Sequence, residues 1–342
     1  MKAIVTGATG CVGRNLVDEL LKDDWEVLVL HRKSSNINRL KGLPIKLIEV
    51  DLHEWDSVLK AIPEGVDAIF HAAGNVSHWP LEADIQFKDN VIATRNLVKA
   101  AEVKKVKRFI FTSTGATFVH AHKSVDEANK IKCDYIRTKL LSEFEVNEGI
   151  ARGLDAIIIR PCIIMGKYDF SNYSQIFQRL FYGKFLVVLP GTIWFNHAKD
   201  VARAHIKAFQ KGRTGQAYFL GGNKTDWYDV YCRAAKIMAV KPPLFKTPLW
   251  LLQIIAYFML GFSYISKIKP PLTPQLINLL LPVIHIPEHE FQKTQNELEY
   301  QPASLEQILS DCFHWMQEEG MIKPQSKNLN QSIPAETLRL EA

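Results

Sequence analysis

Tyr135 and Lys139 stand four residues apart in Tyr135-Ile136-Arg137-Thr138-Lys139, a spacing that puts both side chains on one face of a helix. A phenol with a pKa of about 10 is a poor base at neutral pH, but an adjacent ammonium and an oxidised nicotinamide both favour phenolate. Such a pair can pass a proton to or from a carbonyl or alcohol oxygen during hydride transfer. A second chemical signature opens the chain, in Thr6-Gly7-Ala8-Thr9-Gly10-Cys11-Val12-Gly13. Gly7 permits a tight turn, Gly10 lets backbone approach a pyrophosphate, and Gly13 allows close packing of helix on strand. Ile4 and Val5 read as a short buried strand before the turn, and Val12, Leu16 and Leu20 share a helical face after it. Unpaired N–H groups and the positive end of a helix dipole then converge where a diphosphate fits.

The elements that must position these groups follow from the apolar pattern. Runs at Ala3–Val5, Val27–Leu30, Ile45–Val50, Ala68–Phe70, Phe109–Phe111 and Ala156–Ile159 are near-continuous rather than alternating, as in parallel strands covered on both faces. Helical patterns lie between them. This predicts an α/β fold: a Rossmann-type doubly wound parallel sheet over residues 1–165, with returning segments near 190–220. Residues 166–322 read as a smaller, mainly helical substrate-binding lobe. Its helices are expected over Tyr173–Tyr182, Asp200–Gln210, Trp227–Met238 and Ser304–Glu319, with a strand at Ala217–Leu220. The polar stretch 323–342 lacks periodicity and reads as a flexible tail.

Thr-Gly-x-x-Gly-x-x-Gly together with Tyr-x-x-x-Lys resembles the extended short-chain dehydrogenase/reductase superfamily, the NAD-dependent epimerase/dehydratase family. Arg160-Pro161-Cys162-Ile163-Ile164-Met165-Gly166 and Asn196-His197-Ala198-Lys199-Asp200-Val201-Ala202 resemble two further segments of it. The region from Leu249 through Glu297-Leu298-Glu299-Tyr300-Gln301-Pro302 is similar to the dihydroflavonol 4-reductase-like and 3β-hydroxysteroid dehydrogenase-like branch. The resemblance implies a catalytic set of Thr114, Tyr135 and Lys139, with Ser113 as the alternative hydroxyl and Lys139 also holding the nicotinamide ribose. It implies that Thr9, Cys11 and Val12 join the three glycines at the cofactor, with Thr112 and Ser113 at a strand end. Ala72, Ala73 and Gly74 would let backbone approach it, and Pro161 and Ile163 would abut the nicotinamide. Asn90 would support the site from its helix, and Asp200 would cap a helix. His78, Trp79, Thr117, Met165 and Tyr168 fall where the superfamily lines its substrate pocket. Trp79 either stacks on a substrate ring or plugs its loop onto the body.

The end of the second strand discriminates NAD from NADP, because an acidic residue there binds the ribose 2′-OH. That position is His31, followed by Arg32-Lys33-Ser34, with no carboxylate. Arg32, helped by Lys33, offers a planar cation for a 2′-phosphate, so NADP(H) is expected over NAD(H). Asp51 and Leu52 match the position that meets adenine; Asp51 reads equally as the N-cap of the next helix. His71 reads as a structural strand-end histidine.

The net charge of +6 is spread along the chain without aromatic-basic interleaving, which argues against a nucleic-acid partner and leaves a small-molecule carbonyl or alcohol substrate. Five widely spaced cysteines without metal spacing, and no visible leader, read as a reduced cytoplasmic protein. The most apolar run, Leu249–Ile265, has three readings: core helix, lid over a substrate, or peripheral membrane contact. A homodimer stays open. The function expected is NADP-dependent oxidoreduction of a ketone or secondary alcohol in a fairly apolar substrate. The alternatives are a nucleotide-sugar epimerase or dehydratase, disfavoured by the lack of arginine between Arg233 and Arg339, and a non-catalytic NADP sensor.

Overall fold

The computed structural model describes residues 1–170, 173–184, 187–281 and 286–323. Seven parallel strands form the main sheet: β1 (Lys2–Thr6), β2 (Glu26–His31), β3 (Lys46–Glu49), β4 (Ala68–His71), β5 (Arg108–Thr112), β6 (Ala156–Pro161) and, after two strands elsewhere, β9 (Ala217–Leu220). Their order is β3-β2-β1-β4-β5-β6-β9. The chain winds outward from β1 to β3, then crosses back to β4 beside β1. The carboxyl ends of β1 and β4 therefore flank the point where the winding reverses, the place where doubly wound sheets form their ligand crevice.

The continuous apolar runs have a direct structural cause. Ala3 and Val5 of β1, Val27 and Val29 of β2, and Ile157 and Ile159 of β6 point into one core layer. Their sequence neighbours Ile4, Leu28, Leu30, Ala156 and Ile158 point into the layer on the opposite face. Helices α1 (Cys11–Lys22), α2 (Trp55–Ala61), α3 (Ala83–Phe87), α4 (Ala93–Val103), α5 (Val125–Asn129) and α6 (Asp134–Ala151) follow in chain order. Between α3 and α4 the chain makes one wide π turn over Lys88–Ile92.

The second lobe carries β7 (Ile163–Met165), β8 (Thr192–His197) and β10 (Asn223–Asp226), paired as β10-β8-β7, a small sheet the apolar pattern did not announce. Helices α7 (Tyr173–Phe181), α8 (Ala198–Lys211), α9 (Trp227–Ile237), α10 (Leu249–Ser266), α11 (Pro274–Leu280), α12 (Glu288–Leu298) and α13 (Leu305–Glu318) complete the chain. Phe177, Phe195, Trp227, Tyr231, Ile308 and Trp315 form a separate core for this lobe. Residues beyond 165 return to the main sheet more than once: β9 extends it, and Val201, Ala202, Leu298 and Tyr300 join its core. The polar stretch 324–342 lies outside the described residues.

Two expectations change. Asp200 does not cap its own helix: His197 accepts from Lys199 N–H at its start, and Asp200 Oδ2 accepts from Ala303 N–H at 2.8 Å. Helix α10 is not a core helix, since only Leu252, Ala256 and Ser263 of it are buried.

Candidate active site

The glycine turn closes tightly across the crevice. Gly7 has φ +72°, and a Cβ there would lie 2.6 Å from the Ala73 nitrogen on the neighbouring strand end. A Cβ on Gly13 would lie 2.3 Å from the Gly7 carbonyl oxygen, whereas one on Gly10 meets nothing nearer than 3.4 Å. Gly10 is the N-cap of α1 without a side-chain cap, and no acidic residue lies in the first turn. The leading N–H groups of Cys11, Val12 and Gly13 thus remain for an anion. These residues fit a dinucleotide pyrophosphate. Beside them Asn15 Nδ2 donates to the Lys167 carbonyl at 3.0 Å, fastening the loop from the second lobe over the start of α1.

A buried relay ties β1, β4 and the π turn together. Ala73 N–H donates to Thr6 Oγ1 at 3.1 Å, and Thr6 Oγ1 lies 2.8 Å from His71 Nδ1. His71 Nε2 lies 3.0 Å from Thr94 Oγ1, which donates to the Asn90 carbonyl at 2.6 Å. Because Thr94 spends its proton on Asn90, the network assigns the His71 proton to Nε2. Burial, then the Lys139 charge, lowers His71 to about 3, so it stays neutral. Asn90 Oδ1 accepts from Asn75 N–H at 2.7 Å and its Nδ2 donates to Thr138 Oγ1 at 2.9 Å. The asparagine stands in the middle of the wide turn, not at a helix start, and it joins that turn to α6.

Tyr135 and Lys139 both lie on α6, facing the ends of β4 and β5. The Thr114 side chain stands beside the Tyr135 phenol and favours its ionised form, and the His78 ring meets the tyrosine edge to face with centroids 5.5 Å apart. Lys139 Nζ donates to the Thr112 carbonyl at 2.6 Å and lies over the Phe111 ring at 4.2 Å. It also comes within 3.9 Å of where a Gly74 Cβ would be. The ammonium by itself does not make the phenol acidic. Burial pushes Tyr135 up to about 12, against the pull of Thr114, and burial brings Lys139 down to about 7, opposed by Glu143.

The choice between hydroxyls is made by Glu143, a residue not singled out in the sequence although it continues the Tyr135–Lys139 stripe by one more turn. Its buried carboxylate accepts from Ser113, from Thr117 at 2.7 Å, and from Arg160 at 2.6 and 3.0 Å. Ser113 and Thr117 are thereby spent on the carboxylate, which corrects Thr117 as a substrate contact. Thr114 alone of these turns toward Tyr135. Gly115 behind it packs so closely on the β6–β7 junction that a Cβ would lie 2.6 Å from Cys162 Sγ, bringing Pro161 to the same strand-end cluster. Thr112 Oγ1 is held by His205 Nε2 at 2.7 Å.

Other candidates separate. Arg32 is exposed after β2, 3.5 Å from Asp89, whose carboxylate also meets His53 Nε2 at 3.0 Å and Asn75 Nδ2 at 3.0 Å; Lys33 is exposed beside it. Arg39, missed in the sequence, donates to the Thr9 carbonyl at 3.0 Å and covers the Phe170 ring at 3.9 Å. Asp51 does not cap the next helix, whose N-cap is Glu54; it accepts from His53 N–H at 2.9 Å and its carboxylate stays open to solvent. Leu52 gives its carbonyl to Asn96 Nδ2 at 3.0 Å. Ile163 is buried at the start of β7. Met165 is sealed in the core of the second lobe, and Tyr168 packs between Arg14 at 4.5 Å and Trp315 at 6.0 Å, so both are corrected to packing positions. Trp79 Nε1 donates to Ser263 Oγ at 2.9 Å, which fixes its loop to α10. No group of three or more metal-ligating side chains occurs among the described residues.

A sequence model described as the NAD dependent epimerase/dehydratase family matches residues 3–221, most of the chain and every element of this site except α10. The chain belongs to that family. It is an enzyme family, and within it the chain is 27% identical to a "Putative dihydroflavonol 4-reductase" of Synechocystis sp., covering 94% of this chain and 96% of the relative. It is 29% identical to "Sterol demethylase protein B" of Methylococcus capsulatus, over 94% of this chain and all of the relative (100%). Among solved structures, the crystal structure of gox2253 superposes with a TM-score of 0.78 at 26% identity, covering 94% of this chain and 99% of that one. Each of these matches spans both the main sheet and the second lobe of this chain.

Proposed function

We propose that this enzyme reduces a ketone of a fairly apolar substrate with NADPH, Tyr135 supplying the proton. One observation carries the reading: the Thr114 side chain stands beside the Tyr135 phenol, while Lys139 of the same helix is fixed to the Thr112 carbonyl at the end of β5. A nicotinamide dinucleotide, when bound, supplies the hydride. The glycine turn and the start of α1 would hold its pyrophosphate, and Arg32 with Lys33 would meet a ribose 2′-phosphate, since residues 31–34 after β2 include no carboxylate.

The proton inventory favours reduction. With burial holding it near 12, Tyr135 carries its proton at neutral pH and serves as the general acid for a carbonyl oxygen. Thr114 aligns the phenol oxygen. Lys139, lowered to about 7, exchanges a proton in the same pH range and stands one helical turn away to restore the phenol. His78 walls the tyrosine ring and Trp79 joins that wall to α10, so the substrate side is aromatic. Relatives named for a dihydroflavonol and a sterol agree with such a wall. A nucleotide-sugar substrate is supported less, because no arginine lies between Arg233 and Arg339 to clamp a second diphosphate.

The test is Tyr135→Phe assayed with NADPH against steroid, flavonoid, terpenoid and small-aldehyde carbonyls. Turnover should fall by about 10²–10⁴-fold with NADPH affinity within a few-fold of the parent. Retained turnover overturns the assignment.

A further inference from the structure

We infer that α10 is a docking surface for an anionic lipid bilayer, lying along the membrane interface. The helix has 18 residues with mean hydropathy 1.6, yet only 17% of it is buried. A helix apolar all round normally hides both faces in a core. Here Leu252 and Ala256 pack inward against Leu272 and Ile277, while Trp250, Ile254, Tyr257, Phe258, Phe262 and Ile265 project outward. Trp250, Ile254, Phe258, Phe262 and Ile265 follow one another at three or four residues and make one continuous stripe, with Tyr257 set beside Phe258. Leu244 and Phe245 before it and Ile268 after it prolong the apolar surface. Tryptophan and tyrosine within the stripe suit the headgroup level of a bilayer.

Charge decides the occupant. Between Asp229 and Glu288 the sequence holds no acidic residue, but it holds Arg233, Lys236, Lys241, Lys246, Lys267 and Lys269. Lys246 and Lys269 are engaged with Asp226 and Glu82, which leaves Lys241 and Lys267 flanking the stripe. A two-fold contact with a second copy would set basic flank against basic flank with no carboxylate in the segment to offset it. Anionic headgroups supply that countercharge, worth about 1 kcal/mol per lysine near the surface. The helix does not cross the bilayer, because the Trp79–Ser263 hydrogen bond and the Lys269–Glu82 pair at 2.7 Å hold its far end on the body. If the catalytic proposal is right, the inward side of the docked helix also leads to Tyr135, through Ser263, Trp79 and its neighbour His78. That consequence rests on the proposed function; the docking does not.

The test is flotation of the full chain with vesicles of phosphatidylcholine alone or of equal parts phosphatidylcholine and phosphatidylglycerol. Expected is flotation with the anionic vesicles, weakened by salt and falling about tenfold or more in Phe258→Ser/Ile265→Ser at unchanged Tm, since both side chains are solvent-exposed. Ketone turnover in detergent-free buffer is measured alongside and is expected to persist in that variant. Loss of turnover in both proteins would count against the catalytic reading alone. Absence of flotation overturns the docking proposal, as does equal flotation with neutral vesicles. So does a two-chain mass by light scattering that the same double substitution converts to one.

Discussion

The Trp79 indole donates a 2.9 Å hydrogen bond to the Ser263 hydroxyl, joining segments 184 residues apart in the chain. Ser263, itself buried, passes its own proton to the Leu260 carbonyl at 2.7 Å, so both polar groups of the contact are satisfied. Ser263→Ala leaves the indole N–H without its acceptor, a loss of about 1–3 kcal/mol. A double-mutant cycle with Trp79→Phe should return a coupling energy of about 1 kcal/mol in urea unfolding. A coupling near zero would mean that the two residues do not hold α10 in solution.

Thr114 and Ser113 are adjacent hydroxyls with different partners, one beside Tyr135 and the other on Glu143. Thr114→Val should lower kcat at least several-fold with little change in Tm. Ser113→Ala should do the reverse, lowering Tm through a buried carboxylate left with one donor fewer while kcat stays close to the parent. Steady-state kinetics and calorimetry on the two variants separate the roles.

For Arg32, charge-assisted hydrogen bonds to a 2′-phosphate are worth about 1.5–3 kcal/mol. Arg32→Ala should raise KM for NADPH roughly ten- to a hundredfold and leave the NADH value nearly unchanged. An equal effect on both cofactors would remove the argument for NADP preference, since the guanidinium would then serve only its contact with Asp89.

Glu143→Gln keeps the shape but removes the charge that Arg160 faces in a buried site. Leaving one member of such a pair uncompensated costs about 3–5 kcal/mol, read as a lower urea midpoint. It also removes the influence that holds up the Lys139 pKa, so an alkaline limb of activity near pH 7, where Lys139 loses the proton that restores Tyr135, should move lower.

Acid should destabilise the protein through two fully buried histidines, His71, lowered to about 3, and His205, lowered to about 4. An unfolded chain protonates both below a pKa of about 6.5, whereas the folded chain keeps them neutral down to the lower values. Unfolding thus takes up to two protons between about pH 6 and 4, and stability falls as pH drops across that window by about 3 kcal/mol per unit from this source. Urea titrations at several pH values check the slope, and His205→Gln should flatten part of it.

Much of the nucleotide-binding half was legible without coordinates because its physics is local. Ala3–Val5, Val27–Leu30 and Ala156–Ile159 are apolar without interruption since helices cover both sheet faces, and alternate residues enter two different core layers. Gly7 and Gly13 announced the turn since the backbone approaches there exclude any side chain. The small sheet was illegible: Asn223–Asp226 is wholly polar and half-exposed, and its strand character comes only from pairing with Thr192–His197. Spacing placed Tyr135 and Lys139 on one face, but the direction of their pKa shifts depends on how much water the surrounding chain removes, and burial is the largest cause of both. Likewise the apolarity of Leu249–Ile265 was plain, while its exposure was settled by Leu272, Ile277 and Trp79, which cover one side of the helix and leave the other open. Residue type and local period are carried along the chain. Desolvation and hydrogen-bond partnership arise from segments brought together from far apart, and only the folded arrangement supplies them.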